Sequence, residues 1–178
     1  NGRVLYVGSF SKSLFPGLRL GYLCAPAPVI REARALRALM LRHPPGHLQR
    51  TVAYFLGLGH YDAVIHRMRM EYRKRHEVMA AAIRREGLTI AGASDFGGSS
   101  FWIEGPEGLD ANALMHELRG EGVLIESGFP FFAYDDNPCR YFRLAYPSAS
   151  HIAEGVARTA AHMKAMTARK AHARARPA

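Results

Sequence analysis

Lys12 lies among serines in Gly8-Ser9-Phe10-Ser11-Lys12-Ser13-Leu14-Phe15-Pro16-Gly17-Leu18-Arg19-Leu20-Gly21-Tyr22, and Arg19 follows across a Pro-Gly turn. An amine, a guanidinium and three hydroxyls so close together can grip a phosphate or activate a nucleophile. Three chemistries use a lysine in such company. A nucleotide P-loop needs a glycine directly before its Lys-Ser pair, whereas Ser11 precedes Lys12, so that frame is excluded. Ser9-Phe10-Ser11-Lys12 is formally Ser-x-x-Lys, the acylating pair of penicillin-binding enzymes. The partner motifs fail, because Ser94-Asp95 is followed by Phe96 and no Lys-Thr-Gly occurs.

The third chemistry is a Schiff base. An amine with an ordinary pKa of about 10.4 is a poor nucleophile at neutral pH unless desolvation or a nearby cation depresses it. Arg19 would supply the cation and hold a phosphate, with Ser9 and Ser11 adding hydroxyl donors. The ligand so described is a phosphorylated aldehyde, pyridoxal phosphate. The residues by themselves leave this reading open against a solvated lysine on an exposed turn.

A second chemical signal is Arg143, inside the apolar run Tyr141-Phe142-Arg143-Leu144-Ala145-Tyr146. A buried guanidinium is costly without a partner, so Arg143 requires a carboxylate, an open cleft or a route to solvent from an edge strand. Phe129, Phe131, Phe132 and Tyr134 precede it, either as an aromatic wall beside a site or as core packing.

The elements that must position these groups follow from pattern. Val4–Val7 reads as a buried strand before the lysine turn, and 18–25 as a second strand ended by Pro26 and Pro28. Helices are expected over 29–41 and 47–58, separated by His43-Pro44-Pro45-Gly46. The longest helix is expected over 61–86, with the seam Tyr61, Ile65, Met68, Tyr72, His76, Met79, Ile83 and a stop at Gly87. His76 on that seam reads as a satisfied core histidine. Beyond it, strands over 88–91, 99–104, 123–126 and 141–146 alternate with helices over 110–120 and 150–164, capped by Asp110 and Ser150. The fold class is α/β or α+β, with a boundary near residue 60.

With 178 residues, 48% of them hydrophobic, the chain can bury a core of one domain or two small ones. No apolar stretch approaches the ~20 residues that span a bilayer, and residues 1–30 carry no signal-peptide pattern. The net charge of +9 invites a nucleic-acid reading. Five of the basic residues, however (Lys164, Arg169, Lys170, Arg174, Arg176), crowd into 164–178, where no acidic residue stands. The expectation for 166–178 is a basic solvated tail without packed structure. Cys24 and Cys139 are isolated in sequence and the histidines lack zinc-type spacing, so a reducing cytoplasmic setting and no metal are expected. The start at Asn1-Gly2, directly before a strand, raises the expectation of a piece of a longer protein.

Ser9-Phe10-Ser11-Lys12 followed by Gly17-Leu18-Arg19-Leu20-Gly21-Tyr22 closely resembles the cofactor-lysine segment of fold-type I, class I/II aminotransferases. The resemblance implies that Lys12 carries the pyridoxal phosphate Schiff base and shuttles the substrate proton. It implies that Ser9 and Arg19 hold the phosphate, with Ser11 a weaker candidate. Tyr141–Tyr146 and the Pro147-Ser148-Ala149-Ser150 that follows resemble the family's C-terminal element, in which an arginine, here Arg143, clamps the substrate α-carboxylate. Gly97–Ile103 resembles the small-domain strand facing the cleft, and Gly122–Gly128 the segment before its next turn. Leu41–Arg50, with Gly57–Met68, is similar to the aminotransferase-like domain of MocR-subgroup GntR-type regulators.

On this basis residues 1–59 are expected to finish a large cofactor-binding domain and 60–165 to form a small C-terminal domain. In the family the aspartate facing the pyridine nitrogen, the aromatic stacked on the ring and the first phosphate turn precede the lysine. These 178 residues alone are therefore expected to bind the cofactor poorly. The resemblance implies a homodimer and two functions for one pocket: amino-group transfer between an amino acid and a 2-oxo acid, or ligand sensing for a helix-turn-helix domain outside this chain. In neither does this segment itself contact DNA or a membrane.

Overall fold

The computed structural model describes residues 2–92, 98–133 and 139–174. They form two compact units, 1–69 and 70–178, divided inside the longest helix. Among the described residues no helix is long and apolar enough to cross a membrane.

In the first unit β1 (Tyr6–Ser9) and β2 (Gly21–Cys24) pair antiparallel, with Gly8 opposite Tyr22 and Ser9 opposite Gly21. Two glycines allow the close approach. A Cβ on Gly8 would lie 2.2 Å from the Tyr22 ring, and one on Gly21 would lie 2.6 Å from the Gly8 carbonyl oxygen. Helix α1 (Ala27–Leu41) begins beside Pro26 and Pro28, where a missing N–H costs nothing, and ends at Arg42 with φ 52°. Pro45 then leads into α2 (Gly46–Gly57), and α3 (His60–Glu86) follows.

The expected buried strand Val4–Val7 is corrected on both counts. The strand begins at Tyr6, and Val4 and Val7 are 77% and 76% exposed. A two-stranded ribbon has two faces, and an apolar sequence buries them only where another layer covers them. The second strand starts at Gly21 rather than 18 because Pro16–Leu18 forms a 3-10 turn.

In the second unit α3 ends at Gly87, whose φ of +70° is the left-handed conformation glycine adopts at little cost. The Leu88 N–H returns to the Ile83 carbonyl at 3.0 Å, closing the helix end. Strands β3 (Thr89–Ile90), β4 (Ser100–Glu104), β5 (Glu126–Ser127) and β6 (Tyr141–Ala145) form one antiparallel sheet in the order β3-β4-β6-β5. Strand alternation sends Phe101, Ile103, Phe142 and Leu144 to the inner face. There they meet Met79 and Ile83 of α3, Leu114 and Leu118 of α4 (Ala111–Gly120), and Val156 and Ala160 of α5 (Ile152–Arg174).

Asp110 caps α4 as expected, accepting from the Asn112 and Ala113 N–H groups at 2.9 and 3.1 Å. Ser150 does not cap α5. The first helical bond runs from the Gly155 N–H to the His151 carbonyl, which places the cap one residue later. The strand expected over 123–126 lies at Glu126–Ser127. Of the tail expected over 166–178, residues 175–178 lie outside the described residues and 166–174 are helical, since α5 continues to Arg174. Its alanines favour helix, Arg169 grips both Glu117 oxygens at 3.0 and 2.9 Å, and Lys170 Nζ donates to the Gly108 carbonyl at 2.9 Å. His76 packs as an aromatic, 4.8 Å from Phe101 and edge-on to Tyr146, yet its buried Nε2 has no hydrogen-bond partner among the described residues. It belongs to the core, but not as a satisfied histidine.

Candidate functional site

The chain between β1 and β2 builds the lysine turn from local bonds. Phe10 N–H donates to the Leu20 carbonyl at 3.0 Å, closing the mouth, and Leu14 N–H reaches the Phe10 carbonyl at 2.8 Å, winding one helical turn through Lys12. Ser9 Oγ accepts the Ser11 N–H at 3.2 Å, and the Ser13 hydroxyl donates to the Phe10 carbonyl at 3.4 Å. Arg19 follows the 3-10 turn in the left-handed conformation, φ 49° and ψ 35°. For a residue with a Cβ that conformation costs roughly 1–2 kcal/mol. Leu18, only 4% exposed, anchors this corner.

Lys12, Ser9 and Arg19 are exposed and Ser11 is half-buried, so all four predicted cofactor residues, Ser9 at the end of β1 and the others on the connection that follows, reach the surface. Among the described residues neither Lys12 nor Arg19 has a carboxylate partner. An amine and a guanidinium without counter-charge, beside serine hydroxyls, form a donor set that fits a phosphorylated aldehyde.

Tyr22 was not singled out by the sequence. Its ring lies across Gly8, contacts Tyr6 at 5.9 Å and Phe10 at 5.7 Å, and Phe10 in turn meets the edge of Tyr61 at 5.9 Å. The hydrogen bond with Tyr6 raises the Tyr22 pKa. This aromatic row supports the start of the lysine turn.

Arg143 belongs to the second unit. It stands mid-strand in β6, opposite Trp102 of β4 and Glu126 of β5, on the sheet face away from the core. Its Nη2 forms an ion pair with Glu126 Oε2, and its guanidinium lies 5.6 Å from the centre of the Phe131 ring. The Arg143 side chain is 38% exposed, but its Nε is buried and has no partner among the described residues. Phe131 and Phe132 lie against Trp102 at 5.5 and 6.2 Å, forming an aromatic wall on this face rather than core packing. Tyr134 lies outside the described residues. Gly128 lets the wall come close, since a Cβ there would meet the Tyr141 carbonyl at 2.6 Å and Trp102 at 2.9 Å. On the same face Arg140 pairs with Glu104, which also accepts from the Tyr141 hydroxyl at 3.2 Å. A separate cavity of about 570 Å³, between 121–125 and the first turns of α5, includes none of the predicted site residues.

Residues 1–162 match the family model described as aminotransferase class I and II. The chain belongs to that family. It is 59% identical over 161 residues to the HTH-type transcriptional regulator TauR of Rhodobacter capsulatus, a match covering 89% of this chain and 33% of that protein. It is 30% identical over 126 residues to the probable rhizopine catabolism regulatory protein MocR of Rhizobium meliloti, covering 69% of this chain and 25% of that protein. The structure of LysN, an α-aminoadipate aminotransferase of Thermus thermophilus solved with N-(5'-phosphopyridoxyl)-L-leucine, matches with a TM-score of 0.81 and 32% identity. That match covers 93% of this chain and 43% of LysN. The chain thus spans between a quarter and just over two fifths of these relatives. The α/β aminotransferase fold and the likeness to MocR-type regulators, both expected from the sequence, are borne out.

The sequence named Phe131 as part of a candidate aromatic wall but did not mark Glu126 as the partner of Arg143. Both stood in segments already noticed, but only strand register makes Glu126 the neighbour of Arg143.

Proposed function

We propose that this chain carries the lysine-bearing portion of a pyridoxal-phosphate-binding unit through which a helix-turn-helix transcriptional regulator responds to an amino acid or 2-oxo acid. The observation that carries the cofactor assignment is the turn displaying Lys12 and Arg19, without a carboxylate partner among the described residues, beside Ser9 and Ser11. The 59% identity to a transcriptional regulator, across most of the chain, supports the regulatory use. When bound, pyridoxal phosphate supplies an aldehyde that takes up amines and a ring that draws electrons from the amino acid's Cα.

The chain's own residues have distinct duties. Ser9 Oγ and the Arg19 guanidinium hold the phosphate, Ser11 assisting. Lys12 Nζ would hold the cofactor at its aldehyde carbon and would move the proton at the ligand's Cα. Arg143 orients a ligand through its carboxylate. A homodimer, DNA contact made outside this segment and a reducing cytoplasmic setting for the free thiols Cys24 and Cys139 complete the proposal.

A second reading, transamination between an amino acid and a 2-oxo acid, is supported by the likeness to LysN. Both readings use Lys12. The protein at its full natural length, treated with pyridoxal phosphate and borohydride, should carry the label on Lys12 and lose it in Lys12→Ala. Label on another lysine defeats both readings. Multiple turnovers with amino and oxo acids would favour transamination, whereas an amino-acid-dependent change in operator binding would favour the regulator.

A further inference from the structure

Arg143 already holds an anion. Its Nη2 is ion-paired with Glu126 Oε2, and the β5–β6 register sets the two residues directly opposite each other. The pair is open to water on both sides, with side chains 38% and 47% exposed. One edge of the guanidinium remains unmatched among the described residues, where Nε has no partner. The aromatic wall of Trp102, Phe131 and Phe132 adjoins it.

A clamp for a ligand carboxylate cannot use donors that a neighbouring glutamate occupies. An ion pair this exposed is weak, so an incoming acid can displace it. The displaced Glu126 carboxylate turns into water and leaves no buried charge behind. We propose that Glu126 is an internal competitor for the carboxylate subsite: it covers Arg143 until a ligand acid takes its place. The inference rests on Arg143 as the carboxylate clamp. Its consequence is selectivity. Small acids that offer only a carboxylate gain little by displacing Glu126. An acid bearing an apolar or aromatic tail adds contacts with the wall of Trp102, Phe131 and Phe132. That is the ligand class assigned to this subsite.

The test uses 3-phenylpropionate, a carboxylate with an aromatic tail and no amine to react with a cofactor. Its binding to the protein at its full natural length is measured by titration calorimetry. Glu126→Gln should tighten binding by about two- to fivefold, the strength of an exposed ion pair expressed as affinity. Glu126→Ala should act in the same direction. Glu104→Gln removes a carboxylate from the same face, but one paired with Arg140, and should leave the affinity unchanged. The neutral 3-phenylpropionamide should not distinguish Glu126→Gln from the parent.

Unchanged or weaker binding in Glu126→Gln overturns the proposal, since a residue that merely positions Arg143 gives that result. Equal tightening by Glu104→Gln and Glu126→Gln overturns it too, because general charge then accounts for both. Arg143→Gln separates the two levels. If it leaves binding of the probe unchanged, the clamp reading itself fails. If it abolishes binding while Glu126→Gln has no effect, only the competitor is lost.

Discussion

Leu18 and Val52 are the buried apolar residues among those described in the first unit. The second unit closes around Ile83, Phe101, Ile103, Leu114, Leu118, Phe142 and Val156, each at most 2% exposed. Composition does not explain the contrast, because Val4, Leu5, Val7, Leu39, Met40 and Leu41 are as apolar as any core residue yet stand exposed. Layering does. In the second unit a four-stranded sheet has helices across its inner face, so alternate residues of β4 and β6 lose their water. In the first, a two-stranded ribbon and its helices leave apolar faces uncovered. The phosphate-friendly turn is nevertheless fully formed there, because its bonds run within 9–20 and need no core. Chemistry and cohesion thus reside in different parts of this chain.

Core truncation should split the units most sharply. Phe142→Ala removes a side chain at 0% exposure and should lower stability by about 3–5 kcal/mol. Val7→Ser in the first unit should change it by no more than about 0.5 kcal/mol. Urea denaturation of the 178-residue chain checks both, and comparable losses would erase the contrast.

Arg19→Gly sharpens the comparison from the side of the turn. Glycine accepts φ 49° without strain, so stability should hold within about 1 kcal/mol. Losing the guanidinium should weaken retention of pyridoxal phosphate by about 10- to 100-fold, the worth of hydrogen bonds to a charged group. Equilibrium dialysis of the full-length protein provides the measurement. Retained affinity would remove Arg19 from the phosphate site.

The smallest effect concerns the clasp between α4 and α5, where His162 faces Glu117 and Glu121 at 3.3 and 2.9 Å and Arg169 shares Glu117. Hydrogen bonds to Glu117 and then Glu121 raise the His162 pKa, while Arg169 and His162 hold Glu117 below its ordinary value. A raised histidine pKa means stability fully present below about pH 6.5 and lost as pH rises through the folded value. The loss should stay under about 1 kcal/mol, because the clasp lies at the surface. His162→Gln should flatten the thermal midpoint across that window. An unaltered pH profile would show that the clasp is electrostatically silent.

Much of the site could be read directly. The lysine turn, the Asp110 cap, the Gly87 stop and the long α3 all depend on residues within a few positions of one another. The four cofactor candidates therefore emerged as a group, and the structure places them at the end of β1 and on the connection that follows. Less legible was the surrounding of Arg143. Its strand was plain, but its counter-ion was not, because Glu126 lies far off in sequence and a one-residue slip of β5 would turn it to the opposite face. The extent of α5 was misjudged for a similar reason. Arg169 and Lys170 look like tail charges until Glu117 and the Gly108 carbonyl come within reach.

The sequence by itself carried the resemblance to the family, and its local spacing determined the order of elements and the amine, hydroxyls and guanidinium that could hold a phosphorylated aldehyde. Tertiary structure alone decided that Glu126 sits on Arg143, that Tyr22 lies across Gly8 and that the apolar β1 stays exposed while β4 and β6 are covered. Strand register and layering cause all three, and both arise from contacts between residues distant along the chain.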